Sequence, residues 1–135
     1  LYGTYLSYVP SEYFAHKAIL KVDQRGSLFE MVRSLESGQV FISTTRPGVL
    51  RGNHYHNTKC EIFCVIRGEA EIRIRCLLDD KPEVYRVSGS CPEAVDIPPG
   101  CAHSILNVGN EELLTVFWSS EIFNKEHPDT YHAIA

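Results

Sequence analysis

Three histidines and one glutamate are the residues of this sequence whose types and spacing best suit chemistry. His54 and His56 alternate in the sequence, and Glu61 follows closely. Alternate side chains of a β-strand point to the same face, so the two histidines can share one side, which Glu61 can join if the chain bends in between. A third histidine, His103, stands just after the tight turn that Pro98, Pro99 and Gly100 predict. Imidazoles and carboxylates are ligands for Zn, Fe, Mn, Ni and Cu, so these four residues predict a metal site.

The elements that must position these residues are β-strands. Residues 70–76 alternate apolar side chains with glutamate and arginine, which gives one apolar and one polar face. Asp79, Asp80, Lys81 and Pro82 form a hairpin signal. The predicted strands cover residues 16–22, 27–32, 39–45, 61–67, 70–76, 83–87, 94–97 and 113–118. Many short strands separated by turns indicate an all-β protein, either a sandwich or a small barrel.

The composition indicates one globular domain. The chain has 135 residues, which suffices for one core, and its apolar fraction of 44% is ordinary for a folded protein. The net charge of -4 does not favour a nucleic-acid partner. No apolar run approaches the ~20 residues that span a bilayer, and no signal-peptide pattern is present, so we expect no membrane partner.

The cysteines predict free thiols rather than a disulfide framework. Their number is odd, and none of them has the Cys-x-x-Cys spacing. They are Cys60, Cys64, Cys76, Cys91 and Cys101. We expect buried or strand-lining thiols in a reducing cytoplasm. Cys101 lies two residues before His103, so it is either a thiolate ligand or, as we favour, a turn residue.

Two motifs in register resemble those of the cupins. The first motif is matched by Gly48, His54, His56, Glu61 and Gly68, and the second by Pro98, Gly100, His103 and Asn107. One departure is Pro92, which stands where the second motif opens with glycine. The resemblance implies a double-stranded β-helix, the jelly-roll barrel, in which His54, His56, Glu61 and His103 hold one divalent metal. The alternative is that these are surface polar residues without a metal.

Two further stretches resemble the dTDP-4-keto-6-deoxyglucose 3,5-epimerases. They are residues 47–55, which contain Pro-Gly-Val-Leu-Arg-Gly-x-His-Tyr, and residues 23–30, which contain Asp-x-Arg-Gly-x-x-Phe-Glu. This resemblance implies that Arg25 and Arg51 hold a diphosphate and that Glu30 lies at the nucleotide. It also implies that His54 is the catalytic base, which conflicts with a role as metal ligand. We favour ligation, because the four-ligand set is complete.

Nearly the whole sequence is similar to the C-terminal cupin domains of the CapF family of bifunctional capsular polysaccharide enzymes. The similarity rests on residues 1–10, 52–59, 121–124 and 128–131. It implies a Zn-binding homodimeric domain, residues 16–135, joined by a connector, residues 1–15, to a preceding reductase. The implied reaction inverts C3 of a UDP-4-keto-6-deoxy-N-acetylhexosamine, and the reductase then reduces the ketone on the route to UDP-N-acetyl-L-fucosamine. Ligand types alone also allow Fe, Mn or Ni.

The proton carrier for such a reaction must be sought outside the ligand set. Lys59 lies two residues before Glu61 and faces the metal if both stand on one strand, although an exposed lysine is an equal alternative. Tyr131 is a second candidate, on a tail with His127 and Asp129 that can fold over the mouth of the barrel. The alternative for these three residues is a simple tail.

Two other functions remain open from the sequence. The same ligand set supports oxygen chemistry, so a metal-dependent dioxygenase is one alternative, and oxygen uptake would reveal it. A non-catalytic sugar-binding cupin is the other, and it predicts binding without proton exchange. Arg25 and Arg51 favour an anionic ligand linked to a nucleotide, because guanidinium groups suit phosphate.

Overall fold

The computed structural model describes residues 2–135, and strands dominate it. A short helix α1 (Tyr2–Leu6) and one 3-10 turn (Ser11–Tyr13) precede the sheets. The strands are β1 (Lys21–Asp23), β2 (Gly26–Ser34), β3 (Gly38–Thr45), β4 (Leu50–Tyr55), β5 (Glu61–Arg67), β6 (Glu69–Cys76), β7 (Glu83–Ser88), β8 (Ala94–Ile97), β9 (Cys101–Asn107), β10 (Leu113–Ser119) and β11 (Tyr131–His132). Neither helical segment is long and apolar enough to cross a membrane.

The strands form two antiparallel sheets. One has the order β1-β2-β3-β10-β5-β8, and the other has the order β11-β4-β9-β6-β7. Each sheet also pairs strands that are distant in sequence, such as β3 with β10 and β4 with β9, as in the jelly-roll barrel that the cupin resemblance implies. The all-β prediction is therefore confirmed, and the undecided choice between sandwich and barrel resolves to this double-stranded β-helix.

The predicted strands agree with the structure except near the N-terminus. The expected strand over residues 16–22 reduces to β1, which begins at Lys21, and the residues before it lie exposed without strand pairing. β4 and β9 were not among the predicted strands, although the spacing of His54 and His56 pointed to an extended segment. Both strands carry candidate ligands, and their polar residues broke the apolar pattern on which the prediction depended.

The core lies between the inner faces of the two sheets. β6 has the predicted alternation of an apolar and a polar face, because Ala70, Ile72 and Ile74 are buried whereas Arg73 is exposed. Other members of the same core cluster come from both sheets: Phe63, Val65, Val87, Val95, Ile97, Cys101, Ile105 and Leu113. Burial of this apolar surface stabilises the barrel by about 25 cal/mol per Å².

The expectation of free thiols throughout is wrong for one pair. Cys76 and Cys101 form a disulfide between β6 and β9, where the strand register places them directly opposite each other. Cys60, Cys64 and Cys91 are free. An odd number of cysteines still allows one pair, and the register that brings two strands together is not visible in residue spacing. A sulfur engaged in a disulfide is not a thiolate ligand, so Cys101 is no ligand in this structure.

Candidate metal centre

The four predicted ligands come together at one point inside the barrel. His54 is on β4, His56 follows its end, Glu61 begins β5, and His103 is on β9. One potential ligand atom from each residue lies within 4.8 Å of those of the other three. His56, Glu61 and His103 are buried, whereas His54 is partly exposed. The barrel thus assembles from three strands and one loop a group that could hold a metal ion.

A bulge in β4 sets the position of His54. β4 pairs with β9 so that His54 stands opposite His103, and the register shifts between Gly52 and His54. Gly52 has φ 95°, and a Cβ there would come within 2.6 Å of the carbonyl oxygen of His103. A larger residue would therefore push the two ligand strands apart. The bulge brings the ring centroids of His54 and His103 to 4.6 Å from each other.

Unpaired atoms in the cluster fit a cation. The Nε2 atoms of His56 and His103 lie 3.4 and 3.2 Å from Oε2 of Glu61. Both nitrogens are buried, and neither has a hydrogen-bond partner among residues 2–135. A buried polar atom left unpaired costs about 1–3 kcal/mol. Three imidazoles and one carboxylate around a shared point form a donor set that suits Zn and similar ions, so the residues fit the group that the sequence predicted.

The electrostatics keep two of the ligands in their binding states. Burial alone would raise the pKa of Glu61, but the imidazoles of His103 and His56 outweigh it and lower this pKa to about 2. Burial and then the neighbouring imidazoles lower the pKa of His54 to about 4. At neutral pH Glu61 is therefore ionised and His54 is neutral, which are the states that bind metals.

Backbone carbonyls set the orientation of the two buried imidazoles. Nδ1 of His56 lies 2.5 Å from the carbonyl oxygen of Asp129, and Nδ1 of His103 lies 3.3 Å from that of Cys101. Burial favours a lower pKa for His56, but Glu61 and the Asp129 carbonyl outweigh it and raise the pKa. A carbonyl only accepts, so each Nδ1 carries the proton and each Nε2 can offer a lone pair to the cluster.

A cavity of about 480 Å³ opens onto the cluster. Its wall includes His54, His56 and Glu61 together with polar residues from the surrounding loops and strands. The apolar part of the wall consists of Ile19, Leu28, Phe29, Phe41, Phe117 and Phe123. An apolar pocket with a few convergent polar groups is the usual form of a small-molecule site.

Lys59 lines this cavity and is only 6% exposed. It stands in the loop between β4 and β5, not on one strand with Glu61, yet it reaches the same space. Its Nζ donates a hydrogen bond to the carbonyl oxygen of Pro128 at 3.1 Å. The alternative of an exposed lysine is thereby excluded, whereas a catalytic role stays a prediction.

The C-terminal tail makes contacts at the site that the sequence did not predict. Thr130 lines the cavity, and Asp129 accepts hydrogen bonds from the loop that holds Lys59. Backbone hydrogen bonds outweigh the effect of burial and lower the pKa of Asp129 well below its usual range. Tyr131 instead pairs with Tyr55 on β4, and their rings stack at 5.3 Å outside the wall of the cavity. His127 is exposed.

The three predicted substrate-binding residues are not brought together. Glu30 lines the cavity, where it accepts hydrogen bonds from Gln39 and from the exposed Arg33. Arg25 is exposed and forms an ion pair with Asp23 at 2.5 Å. Among the residues that the structure describes, neither Arg25 nor Arg51 lines the cavity.

Arg51 is held by β3 near the opposite end of β4 from the ligands. Its Nε donates to the hydroxyl of Thr45, and its Nη2 donates to the carbonyl of Thr44, both at 3.0 Å. Burial, and then the nearby Arg25, lower the pKa of Arg51. Two guanidinium groups thus lie near each other, but the contacts of each are made within the chain.

Comparisons with known proteins find a polysaccharide biosynthesis family and two relatives named for enzymes that act on sugars or glycans. A family model described as polysaccharide biosynthesis C-terminal domain matches residues 21–131. A UDP-2-acetamido-2,6-beta-L-arabino-hexul-4-ose reductase of Pseudomonas aeruginosa is 40% identical over 97% of this chain. A probable low-salt glycan biosynthesis epimerase, Agl13 of Haloferax volcanii, is 25% identical and aligns with 82% of this chain and 78% of its own length.

A solved structure is similar over almost the whole chain. The crystal structure of the capsular polysaccharide assembling protein CapF from Staphylococcus aureus superposes with a TM-score of 0.91 at 42% identity, over 99% of this chain. The chain spans only 39% of that protein and 35% of the Pseudomonas reductase. The similarity therefore concerns one part of each of these longer proteins.

Proposed function

Because the chain belongs to the polysaccharide biosynthesis C-terminal domain family, we propose that it is a metal-dependent sugar-nucleotide epimerase domain. Its substrate would be a UDP-4-keto-6-deoxy-N-acetylhexosamine, and its reaction the inversion of C3. The observation that carries the proposal is the cavity whose wall includes His54, His56 and Glu61 of the candidate ligand cluster together with the buried Lys59. The Haloferax relative, named a probable epimerase, and the Pseudomonas relative, named for a hexul-4-ose sugar, support the same class of reaction.

The chemistry of a 4-keto sugar explains why such a site is needed. The hydrogen on C3 is α to the C4 ketone, so it leaves as a proton only when the ketone oxygen is stabilised. His54, His56, Glu61 and His103 would hold one divalent ion, which when bound supplies a Lewis acid for that oxygen. Inversion then requires removal of the C3 proton on one face and return of a proton on the other.

Lys59 is the residue that we assign to proton transfer. Its amino group lines the same cavity as the ligand cluster, and its hydrogen bond to Pro128 holds it at a fixed place. His54 cannot both bind the metal and act as base, so a separate carrier is required. Tyr131 is the second candidate carrier, and because its ring stacks on Tyr55 it would have to leave that contact to act.

The wall of the cavity would orient the sugar nucleotide. The aromatic side chains of Phe29, Phe41 and Phe117 exclude water, which strengthens each polar interaction within. Glu30 stands on the same wall, so we propose that it contacts the nucleotide. Arg25 and Arg51 are proposed for the diphosphate, and this role would require them to exchange contacts that they now make within the chain.

The wider setting is part of the same proposal. We assign Zn as the metal, because three imidazoles and one carboxylate suit it. The Pseudomonas relative is named a reductase and extends well beyond this chain, which supports a partner reductase that acts on the epimerised ketone. The route would lead to UDP-N-acetyl-L-fucosamine in capsule or O-antigen synthesis, and the domain would work as a homodimer in the cytoplasm.

Deuterium wash-in tests the proposal. The chain is loaded with Zn²⁺ and incubated in deuterated water with a UDP-4-keto-6-deoxy-N-acetylhexosamine, and mass spectrometry and NMR locate the label. We expect deuterium at C3, lost after chelation and in Glu61→Gln but retained in Glu93→Gln, an exposed carboxylate. A folded, Zn-loaded chain that leaves C3 unlabelled refutes the epimerase proposal, and oxygen uptake or simple binding would then identify the alternatives.

A further inference from the structure

Asp129 has a backbone conformation that needs an explanation. Its φ is 44°, in the left-handed region that residues other than glycine seldom adopt, although Asp and Asn do so more readily than most. Such a conformation persists where surrounding contacts enforce it, and it is concentrated at functional sites. The contacts of Asp129 and of its neighbour Pro128 show what this conformation achieves.

The carboxylate of Asp129 holds the loop between β4 and β5. It accepts hydrogen bonds from the backbone N–H groups of Asn57, Thr58 and Lys59 at 2.9, 3.0 and 3.1 Å. It also accepts one from the Thr58 hydroxyl at 3.1 Å. This loop has His56 at one end and Lys59 near the other. One carboxylate therefore fixes the backbone between a candidate ligand and the candidate proton carrier.

Two successive carbonyls of the tail hold the side chains of the same loop. The carbonyl of Asp129 meets Nδ1 of His56, so this nitrogen must carry the proton and Nε2 is left to face the cluster. The carbonyl of Pro128 accepts the hydrogen bond of Lys59 Nζ. The left-handed turn at Asp129 lets the carboxylate and both carbonyls face the loop at once.

The tail is itself anchored to β4. In β11, Tyr131 pairs with Tyr55 and His132 pairs with His54. Beyond them, the N–H of Ala133 donates to the carbonyl of Asn53 at 3.0 Å. This pairing fixes the tail immediately after Asp129 and so holds the Asp129 carboxylate against the loop.

We propose that Asp129 is a positioning residue that sets both the tautomer of His56 and the place of the Lys59 amino group. The inference rests on the proposed function only in treating His56 as a ligand and Lys59 as a proton carrier. The hydrogen-bond arrangement is a property of the protein alone. Loss of the carboxylate therefore loosens metal binding and proton transfer together, although the side chain of Asp129 lies on the loop and not among the ligand atoms.

Two substitutions separate the carboxylate from the backbone. Asp129→Asn keeps the size and the tolerance for a left-handed backbone but removes the charge and one acceptor oxygen. Asp129→Gly keeps access to the same φ and removes the side chain. The control is Glu126→Gln, which changes an exposed carboxylate of the same tail. Thr58→Val, which deletes one hydroxyl donor, provides a milder change should Asp129→Gly fail to fold.

The readouts are the tautomer of His56 and the affinity for Zn²⁺. Nitrogen NMR of the imidazole in the metal-free protein reports the tautomer, and competition with a chromophoric chelator reports the affinity. At a pH alkaline enough to keep the imidazole neutral, we expect the wild type and Glu126→Gln to show His56 protonated at Nδ1 alone. Both Asp129 variants should show a mixture of tautomers and a Zn²⁺ affinity lowered about tenfold, the lower end for loss of an outer partner of a metal ligand. Thr58→Val should show a smaller share of the second tautomer and a Zn²⁺ affinity lowered about twofold.

Each outcome bears on one proposal. Asp129 variants that keep the Nδ1–H tautomer and a Zn²⁺ affinity within twofold of the wild type overturn the positioning role and leave the epimerase proposal intact. A wild-type protein that binds no Zn²⁺ refutes the metal-dependent function. In that case the tautomer measured in the metal-free variants still decides the role of Asp129.

Discussion

The two ends of β4 differ in whether the polar groups there have hydrogen-bond partners within the chain. At its start, Arg51 donates to Thr44 and Thr45, so its guanidinium has partners within the chain. At its other end, His54 joins His103, whose buried Nε2 has no hydrogen-bond partner in the described part of the chain. One end of β4 thus carries a side chain with partners within the chain, and the other end lies against a nitrogen of β9 that has none.

This difference distinguishes a side chain whose contacts stabilise the fold from a site that has room for a ligand. A buried polar atom normally has a partner, so an unpaired one marks a place where an ion, a water molecule or a substrate belongs. The paired arginine stabilises the protein through contacts within the chain, which it would have to exchange to meet the proposed diphosphate. Residue type and motif alone predicted both ends as functional, whereas the hydrogen bonds distinguish them. Substitutions at the two ends should therefore have different readouts.

The largest effect is expected from removal of a ligand. His103→Ala should abolish Zn²⁺ binding and lower the rate of C3 proton exchange by about 10³-fold, because a Lewis-acid metal contributes several kcal/mol to such a reaction. Equilibrium dialysis and deuterium wash-in measure the two effects. His16→Ala, at an exposed position, is the control and should behave as the wild type. Exchange that survives in His103→Ala at the wild-type rate contradicts the assignment.

Removal of the proton carrier should come next. Lys59→Met keeps the length of the side chain but no proton, so exchange should fall about 10²-fold, at the low end for general acid–base catalysis. Zn²⁺ affinity should stay within twofold, because Lys59 is not a ligand. Lys125→Met, on the exposed part of the tail, is the matched control. If Lys59→Met exchanges the C3 proton at the wild-type rate, Lys59 does not transfer the proton and has a packing role only.

At the start of β4, where Arg51 has partners within the chain, a substitution should lower the stability of the protein. Arg51→Ala removes two hydrogen bonds of a partly buried guanidinium, which should lower the free energy of unfolding by about 1–3 kcal/mol in urea titrations. Zn²⁺ affinity should not change. Arg86→Ala, at an exposed position, should leave both quantities unchanged. An unchanged free energy of unfolding would contradict this structural role, whereas a raised KM for the UDP-sugar would support the proposed contact of Arg51 with the diphosphate.

The smallest effect concerns the exposed ion pair beside Arg51. The hydrogen bond from Arg25 lowers the pKa of Asp23 from 3.8 to about 2. The pair therefore stabilises the protein above pH 3.8, and this contribution is lost as pH falls through about 2. Carboxyl NMR titration should show a midpoint near pH 2 in the wild type and near 3.8 in Arg25→Ala. Equal midpoints would show that the pair does not form in solution.

The sequence was sufficient to predict which four residues come together as candidate ligands, but not what holds them. His54, His56, Glu61 and His103 were predicted because motif spacing carries strand alternation and turn position directly. Asp129 could not be given its place, because its contacts depend on how the tail pairs with β4 across the molecule. Such pairing is decided by three-dimensional packing and leaves no local signal.

Two further features show the same limit. The Cys76–Cys101 disulfide depends on the register of β6 against β9, which residue spacing does not reveal. Lys59 reached the cavity from a loop, although the prediction placed it there through a strand shared with Glu61. Local periodicity and motif spacing therefore predicted which residues gather at the cluster and the cavity, whereas long-range strand pairing decided their partners.

X-ray diffraction from crystals of the Zn²⁺-loaded chain, recorded on both sides of the zinc absorption edge, tests the central claim most directly. We predict one anomalous peak inside the barrel, within about 2.0–2.2 Å of one nitrogen each from His54, His56 and His103 and an oxygen of Glu61. The peak should disappear in His103→Ala. A zinc peak at any other place, or none at these four residues in the loaded protein, would contradict the account.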